Sequence, residues 1–135
     1  MKNDSHQRVD LGDGLWVSVV IATYERHELL RRLLQDLDAQ TLDPSRYEAV
    51  VVDDGSSEDV RQKLADLQTR YAHRIERQDN AGAAAARQRG VELARGKIVV
   101  LVDDDMRVKP DFLERHLAKH LENGDGTNTV VLGRL

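Results

Sequence analysis

Two clusters of aspartates stand where their side chains could hold a cation. The clusters are an acid pair, Asp53 and Asp54, and an acid triplet, Asp103, Asp104 and Asp105. Each follows an apolar run typical of a buried parallel strand, residues 49–52 for the pair and 98–102 for the triplet. Ligands of open α/β sheets bind beyond the carboxyl ends of the strands, so both clusters can face one pocket. This arrangement favours a metal-bound nucleotide as the ligand.

The acid triplet offers two carboxylates separated by one residue, Asp103 and Asp105. Such a pair suits a divalent Mg²⁺ or Mn²⁺ ion, which takes oxygen ligands and bridges to substrate phosphates. An Asp-rich turn at a strand end is the alternative, and the presence of the acid pair favours the metal site over it. Zinc is disfavoured because no histidines pair around these acids. His116 and His120, four residues apart, are expected on a solvated helix face.

The residues around the acid pair suggest a nucleotide contact. An ionised aspartate only accepts hydrogen bonds, so Asp54 beside a nucleobase would select an imide N–H, as uracil offers. Ser56 and Ser57 come next and suit the N-cap of a following helix. Arg87 and Arg89 are candidates for a phosphate contact, because a guanidinium fork matches phosphate oxygens. Solvated arginines on a surface helix are the alternative.

Apolar runs alternate with helical patterns along the chain, which predicts an α/β fold, a Rossmann-like three-layer sandwich with a mainly parallel sheet. The predicted strands are residues 16–22, 48–53, 74–78, 97–102 and 129–132. The predicted helices are residues 26–39, 56–70 and 80–95 and a last one that begins at Pro110. We expect a flexible leader over residues 1–14 and one domain over 15–135.

Composition excludes several classes of protein. A chain of 135 residues suits one domain, and a net charge of −4 offers no basic field for nucleic acid. The absence of cysteine excludes disulfide scaffolds, thiolate zinc sites and thiol nucleophiles. No apolar stretch is long enough to span a bilayer and the polar start lacks a signal-peptide core, so a cytoplasmic location is expected. Peripheral association with a membrane stays open.

Four segments together resemble the nucleotide-binding half of the family 2 glycosyltransferases, which have the GT-A fold and use nucleotide sugars as donors. The segments occur in family order at residues 17–26, 51–57, 80–87 and 101–105, within a resemblance that covers about residues 16–134. The commoner proline before Thr23 and Tyr24 is Ala22 here. This departure changes the stiffness of the loop more than its chemistry.

The resemblance implies a role for each matching position. The residues expected to line the nucleoside pocket are Ala22, Thr23, Tyr24 and Glu25. Those expected at the base, the ribose and the diphosphate are Asp54 with Asp53, then Asp103 and Asp104. Asp105, with Asp103, would hold a divalent metal, Mn²⁺ or Mg²⁺, and Arg87 would help to bind the donor.

In this family the acceptor pocket and the catalytic base, usually an acid, follow a strand like the one predicted at 129–132. We therefore expect the acceptor half to be absent and the catalytic base to lie outside this chain. Within a complete enzyme, the predicted reaction is metal-dependent, inverting transfer of a sugar from a nucleotide diphosphate sugar to an unknown acceptor, and a UDP-sugar is the expected donor. Self-association through the uncovered sheet face stays open.

Three other classes of protein are alternatives to the transferase. A truncated, non-catalytic module that binds nucleotide or docks on a partner is the main alternative to the transferase. A phospho-signalling receiver domain is disfavoured because it needs acids directly after the first strand, where residues 23–26 read Thr-Tyr-Glu-Arg. A dinucleotide-dependent dehydrogenase is disfavoured because no G-x-G-x-x-G follows that strand.

Overall fold

The computed structural model describes residues 11–122 and the backbone of 129–132. The strands are β1 (Val17–Thr23), β2 (Tyr47–Asp53), β3 (Ala72–Arg77), β4 (Ile98–Leu101) and β5 (Thr129–Leu132). The helices are α1 (His27–Asp38), α2 (Val60–Lys63), α3 (Ala83–Leu93) and α4 (Phe112–Glu122). The predicted alternation of strands and helices is confirmed.

The five strands form one sheet in the order β3-β2-β1-β4-β5, and every neighbouring pair is parallel. Strands β2 and β3 lie on one side of β1, and β4 and β5 lie on the other, so the strand order reverses between β1 and β4. A crevice opens at such a point in doubly wound folds, beyond the carboxyl ends of the two strands. The acid triplet follows β4, and the acid pair straddles the end of β2, next to β1, so both clusters are at this edge of the sheet.

Helices cover both faces of the sheet, which confirms the predicted three layers. One face packs against α1 and α4, and four leucines spaced along α1 are fully buried: Leu30, Leu33, Leu34 and Leu37. The other face packs against the end of α3, around Val20, Val50 and Val99. A Cβ atom on Gly90 would lie 2.4 Å from Val20 Cγ1, so glycine is needed for α3 to come this close to β1.

The second helix is much shorter than the pattern of Val60, Leu64, Leu67 and Tyr71 predicts: α2 ends at Lys63 rather than near residue 70. Tertiary contacts override the periodicity here. The carbonyl of Lys63 accepts a hydrogen bond from Arg31 on α1 at 2.9 Å. The hydroxyl of Tyr71 donates to the carbonyl of Leu34 at 2.7 Å, which fixes the chain just before β3 begins.

The predicted N-cap of α2 was also wrong. Asp59 caps this helix, because its carboxylate accepts from the backbone N–H of Arg61 at 2.9 Å. Ser56 instead accepts a hydrogen bond from the backbone N–H of Glu25 at 2.8 Å. The serines that follow the acid pair therefore tie two loops together, and do not start a helix.

Two further expectations differ from the structure. Leu11, assigned to the flexible leader, is buried in the core, and the carbonyl of Gly12 accepts from the indole of Trp16. Residues 1–10 lie outside the described residues. His116 and His120 are buried rather than solvated, and the ring of His116 packs edge-on against Phe112. Across residues 11–122 and 129–132, no helix has the length and apolar character that crossing a membrane requires.

Candidate functional site

A cleft of about 500 Å³ lies at the switch point between β1 and β4. Its lining comes from the ends of these strands, the acid clusters and the start of α3. The lining residues are Ala22, Thr23, Tyr24, Arg26, Asp54, Asn80, Gly82, Ala83, Arg87, Asp103, Asp104 and Asp105. A volume of this size is typical of a small-ligand site.

The loop between β1 and α1 presents two long side chains to the cleft. Glu25 has a positive φ of 58°, a backbone conformation that is uncommon for residues other than glycine. Its carboxylate accepts from the backbone N–H and the hydroxyl of Ser57, both at 2.9 Å. These bonds hold the strained turn and leave Tyr24, 48% exposed, and Arg26 on the cleft side. Glu25 itself does not line the cleft.

Asp54 lies in the cleft wall with its carboxylate fully hydrogen-bonded. Oδ1 accepts from the Gln78 amide at 2.9 Å and the Ala81 backbone N–H at 2.8 Å. Oδ2 accepts from the Asn80 amide at 3.2 Å and the Gly82 backbone N–H at 2.9 Å. A carboxylate has about four acceptor positions, so all of them are used.

This bonding keeps Asp54 ionised. Burial alone raises the pKa of Asp54, but the hydrogen bonds from Gln78, Ala81 and Gly82 outweigh it and hold the pKa below its ordinary value. The close fit of the two loops depends on Gly55, which has a φ of 83°. A Cβ atom there would lie 2.8 Å from the backbone nitrogen of Asn80.

Asp53 points away from the cleft and is fully buried. Its Oδ2 lies 2.9 Å from Arg77 Nη1, in an ion pair, and its Oδ1 accepts from the backbone N–H of Ser56 at 3.0 Å. Adjacent residues of a strand face opposite sides of the sheet, which explains why the acid pair separates in this way. Asp53 joins β2, β3 and the following loop.

The acid triplet is more open to solvent than the acid pair. Asp104 is the buried member: its Oδ2 accepts from the hydroxyl of Thr23 at 2.9 Å and its Oδ1 from Arg26 at 3.2 Å. Burial is the largest effect on Asp104 and raises its pKa despite these two partners. The side chains of Asp103 and Asp105 are 54% and 52% exposed.

Arginines approach the triplet from both sides of the cleft. Arg26 Nη1 lies 3.5 Å from Asp105 Oδ2, and Arg87 Nη2 lies 3.6 Å from Asp103 Oδ1. Arg89, the other arginine predicted to meet phosphate, does not line the cleft and pairs with Glu76 at 3.9 Å.

The structure brings most of the predicted site residues together. Those in the cleft wall are Ala22, Thr23, Tyr24, Asp54, Arg87 and the acid triplet. Asp53 and Glu25 lie behind it and support it. Arg26, Asn80, Gly82 and Ala83 line the cleft without having been singled out. An arginine directly before a helix was the available signal for Arg26, because that position normally carries Ser, Thr, Asp or Asn.

The exposed carboxylates of the triplet suit a divalent ion. Mg²⁺ and Mn²⁺ sites of nucleotide enzymes use one or two protein carboxylates, with phosphate and water completing the shell. Asp103 and Asp105 meet this requirement, since each is half exposed at the cleft. Within the described ranges, no group of three or more acids or histidines forms a preassembled cage. A metal here would need ligands from the substrate.

A parallel sheet in this order, with acid-lined strand ends at the switch point, defines a GT-A-like α/β domain. The model of the family described as Glycosyl transferase family 2 matches residues 18–133. The chain belongs to this family, as the sequence predicted.

Two of the named relatives are also glycosyltransferases. The chain is 35% identical over 119 residues to validoxylamine A glucosyltransferase of Streptomyces hygroscopicus subsp. limoneus, covering 87% of this chain and 26% of the relative. It is 33% identical over 123 residues to the glucosyl-dolichyl phosphate glucuronosyltransferase of Haloferax volcanii, covering 85% and 38%. The chain thus spans about a third of the length of these curated relatives.

Solved structures show the same fold. The crystal structure of S. aureus TarS 1-349 in complex with UDP-GlcNAc superposes with a TM-score of 0.74 at 25% identity. The match covers 82% of this chain and 32% of that one. The GT-A fold predicted from the four sequence segments is confirmed.

Proposed function

We propose that this domain binds the nucleotide sugar donor, a UDP-sugar, of an inverting, metal-dependent glycosyltransferase. The observation that carries the proposal is the composition of the cleft: an exposed aromatic ring and a buried carboxylate on one side, and two exposed carboxylates flanked by arginines on the other. The first set suits a nucleoside and the second a metal-bound diphosphate. The TarS structure with UDP-GlcNAc, a protein of the same fold, supports this assignment.

The nucleoside would bind between Tyr24 and Asp54. The half-exposed ring of Tyr24 offers a stacking surface, which is worth about 1–3 kcal/mol per base. Asp54 suits the uracil imide, but its acceptor positions are already used. Recognition therefore exchanges a side-chain amide, from Gln78 or Asn80, for the imide N–H. The backbone donors from Ala81 and Gly82 stay in place.

The diphosphate would bind at the acid triplet through a divalent ion, Mn²⁺ or Mg²⁺. Asp105 and Asp103 would hold the ion, which when bound supplies the Lewis acid that stabilises the leaving diphosphate. Asp104 stays with Thr23 and fixes the position of the triplet. Arg87 has a half-exposed guanidinium at the same wall and would contact a phosphate oxygen.

Transfer also needs an acceptor site and a base. A general base must reach the acceptor hydroxyl, and the only acids in the cleft wall of the described residues are Asp54 and the triplet. All of them have roles on the donor side. We therefore predict that the 135-residue chain binds donor and does not transfer the sugar. Sustained metal-dependent transfer by this chain in a radiolabelled-sugar assay would show that one of these acids is the base.

The donor assignment is tested by calorimetric titration with UDP, UDP-GlcNAc, GDP and ADP, each with and without Mn²⁺. We expect the uridine nucleotides to bind most tightly, and Tyr24→Ala to weaken UDP binding about tenfold through lost stacking. The control Arg61→Gln alters a remote surface pair with Asp59 and should bind UDP normally. Equal or tighter binding of GDP or ADP would overturn the uracil assignment.

A binding module without catalysis is the second candidate, and it predicts the same donor binding. The two candidates are separated by a transfer assay in which an acceptor-binding half is supplied to this domain, either as an extension of the chain or as a partner chain. Transfer there supports the enzyme; nucleotide binding without transfer to any acceptor supports the module. A cytoplasmic location, peripheral membrane association and self-association stay predictions.

A further inference from the structure

Arg26 occupies a position that is unfavourable for its helix. It is the N-cap residue of α1, its side chain makes no capping hydrogen bond, and its φ of −139° and ψ of 41° are irregular. Ser, Thr, Asp and Asn are the residues that stabilise this position, and a positive charge is disfavoured beside the positive end of the helix dipole. A residue that breaks local rules in this way indicates a role outside the helix.

The guanidinium of Arg26 turns to the acid triplet and bridges two of its members. A single nitrogen, Nη1, lies 3.2 Å from Asp104 Oδ1 and 3.5 Å from Asp105 Oδ2. Among residues 11–122, Arg26 is the only side chain paired with Asp105, whereas Asp104 also has Thr23. Arg26 thus holds one of the two half-exposed carboxylates of the triplet.

The contact between Arg26 and Asp105 can be replaced easily. Both side chains are about half exposed, 51% for Arg26 and 52% for Asp105, so water can replace the contact at little cost. Asp104 is only 8% exposed and keeps its bond to Thr23 when Arg26 leaves. The strained turn at Glu25, fixed to Ser57, holds the backbone before Arg26 while the long side chain moves.

We propose that Arg26 competes with the divalent ion for Asp105, and that the donor diphosphate relieves this competition by drawing the guanidinium to itself. The inference rests on the proposed donor and metal site. Two cations compete for one carboxylate oxygen, whereas a diphosphate offers Arg26 equivalent charged acceptors. Metal and nucleotide therefore load cooperatively, and the site without nucleotide holds metal weakly.

Arg87 is not equivalent to Arg26, although it also approaches the triplet. It lies on α3, which follows β3, and meets one carboxylate, Asp103, at 3.6 Å. Arg26 meets two carboxylates with one nitrogen, so its removal leaves the negative charge of both unscreened. Metal affinity should therefore depend more on Arg26 than on Arg87.

The test measures Mn²⁺ binding to the 135-residue protein by the loss of the free Mn²⁺ signal in electron paramagnetic resonance, with and without UDP. For Arg26→Gln we expect Mn²⁺ alone to bind about 30-fold more tightly at low ionic strength, the effect of removing one unit charge about 4 Å from a doubly charged ion in a water-like medium. UDP should then tighten Mn²⁺ binding by a smaller factor than in the parent protein. By linkage, Mn²⁺ should tighten UDP binding by that same smaller factor.

Two control variants test whether the effect on Mn²⁺ binding comes from the charge at position 26. Arg31→Gln removes an arginine of the same helix that pairs with Asp66 away from the cleft, and should leave Mn²⁺ binding unchanged. Arg26→Lys keeps the charge and should behave like the parent protein towards Mn²⁺ alone. Circular dichroism and thermal melts of each variant confirm that the fold is intact.

Each outcome bears on the proposal separately from the donor assignment. Unchanged or weaker Mn²⁺ binding in Arg26→Gln overturns the competition, whatever UDP does. The same result with metal-dependent UDP binding intact leaves the proposed function standing. Tighter Mn²⁺ binding in Arg26→Gln supports the competition even if uridine nucleotides prove to be the wrong donors. No measurable Mn²⁺ binding in either protein overturns the competition.

Discussion

The two acidic strand ends resemble each other in sequence and differ in what surrounds their carboxylates. The acid pair, Asp53 and Asp54, is buried and receives its hydrogen bonds from backbone groups, two side-chain amides and Arg77. In the acid triplet, Asp103 and Asp105 are half exposed, and within residues 11–122 their carboxylates meet only long arginine contacts. The pair thus builds the wall of the cleft, and the triplet leaves charge available for a ligand.

This difference shows that an acid at a strand end can serve the fold or the ligand, depending on how many donors the fold supplies. The loop after β3 brings Gln78, Asn80 and two backbone N–H groups to Asp54. Nothing comparable reaches Asp105 among the described residues, where Arg26 alone approaches it. Asp54 joins both roles, because it is fully bonded yet lines the cleft.

The largest expected effect is a difference in stability between a variant of the acid pair and a variant of the acid triplet. Asp53→Asn should lower the free energy of unfolding by about 2–3 kcal/mol, because it leaves Arg77 without its buried anionic partner. Asp105→Asn should change it by less than about 0.5 kcal/mol, as expected of an exposed side chain. Urea unfolding followed by circular dichroism measures both. Equal losses would mean that the triplet also supports the fold.

The second prediction concerns ligand binding. Asp105→Asn and Asp103→Asn should each weaken UDP binding about tenfold when Mn²⁺ is present and hardly at all without it, since each removes a charged oxygen ligand. Calorimetric titration in the two conditions separates these effects. Asp66→Asn, which removes an exposed acid paired with Arg31, is the control of equal charge. A metal-independent loss in the variants would assign the triplet to direct nucleotide contact.

Much of this fold could be predicted because its signals are local. Four buried leucines on one face define α1, and continuous apolar runs define β1, β2 and β4. The short α2 could not be predicted, because the contacts that end it come from Arg31 and Leu34, more than 30 residues away along the chain. Periodicity alone favoured a helix to residue 70.

The candidate site also has features that the local sequence predicts and features that depend on distant contacts. The positions of both acidic clusters followed from strand ends, but the different surroundings of Asp53 and Asp54 depend on partners 24–28 residues later, at the end of β3 and in the loop after it. Arg26 was missed because its acidic partners lie 78 and 79 positions further along the chain. Residue type and spacing thus locate the charges, and only the folded loops decide which charges are already neutralised.

The smallest expected effect concerns the pKa of one buried acid from each cluster, Asp54 of the pair and Asp104 of the triplet. The pKa of Asp54 lies below its ordinary value because hydrogen bonds outweigh burial, whereas burial raises the pKa of Asp104 above it. A lowered folded-state pKa gives stability that is present above the unfolded value, about 3.9, and is lost as the pH falls through the folded value. A raised pKa acts in the opposite sense: Asp104 costs stability progressively as the pH rises from about 3.9 through its folded value.

Carboxyl ¹³C NMR titration measures both pKa values. The titration midpoint of Asp54 should lie below that of an ordinary aspartate and the midpoint of Asp104 above it, and Asp104→Asn should remove the upper one. Two midpoints below that of an ordinary aspartate would show that solvent enters the buried member of the triplet, and Asp104 would then join Asp103 and Asp105 as a carboxylate open to the ligand.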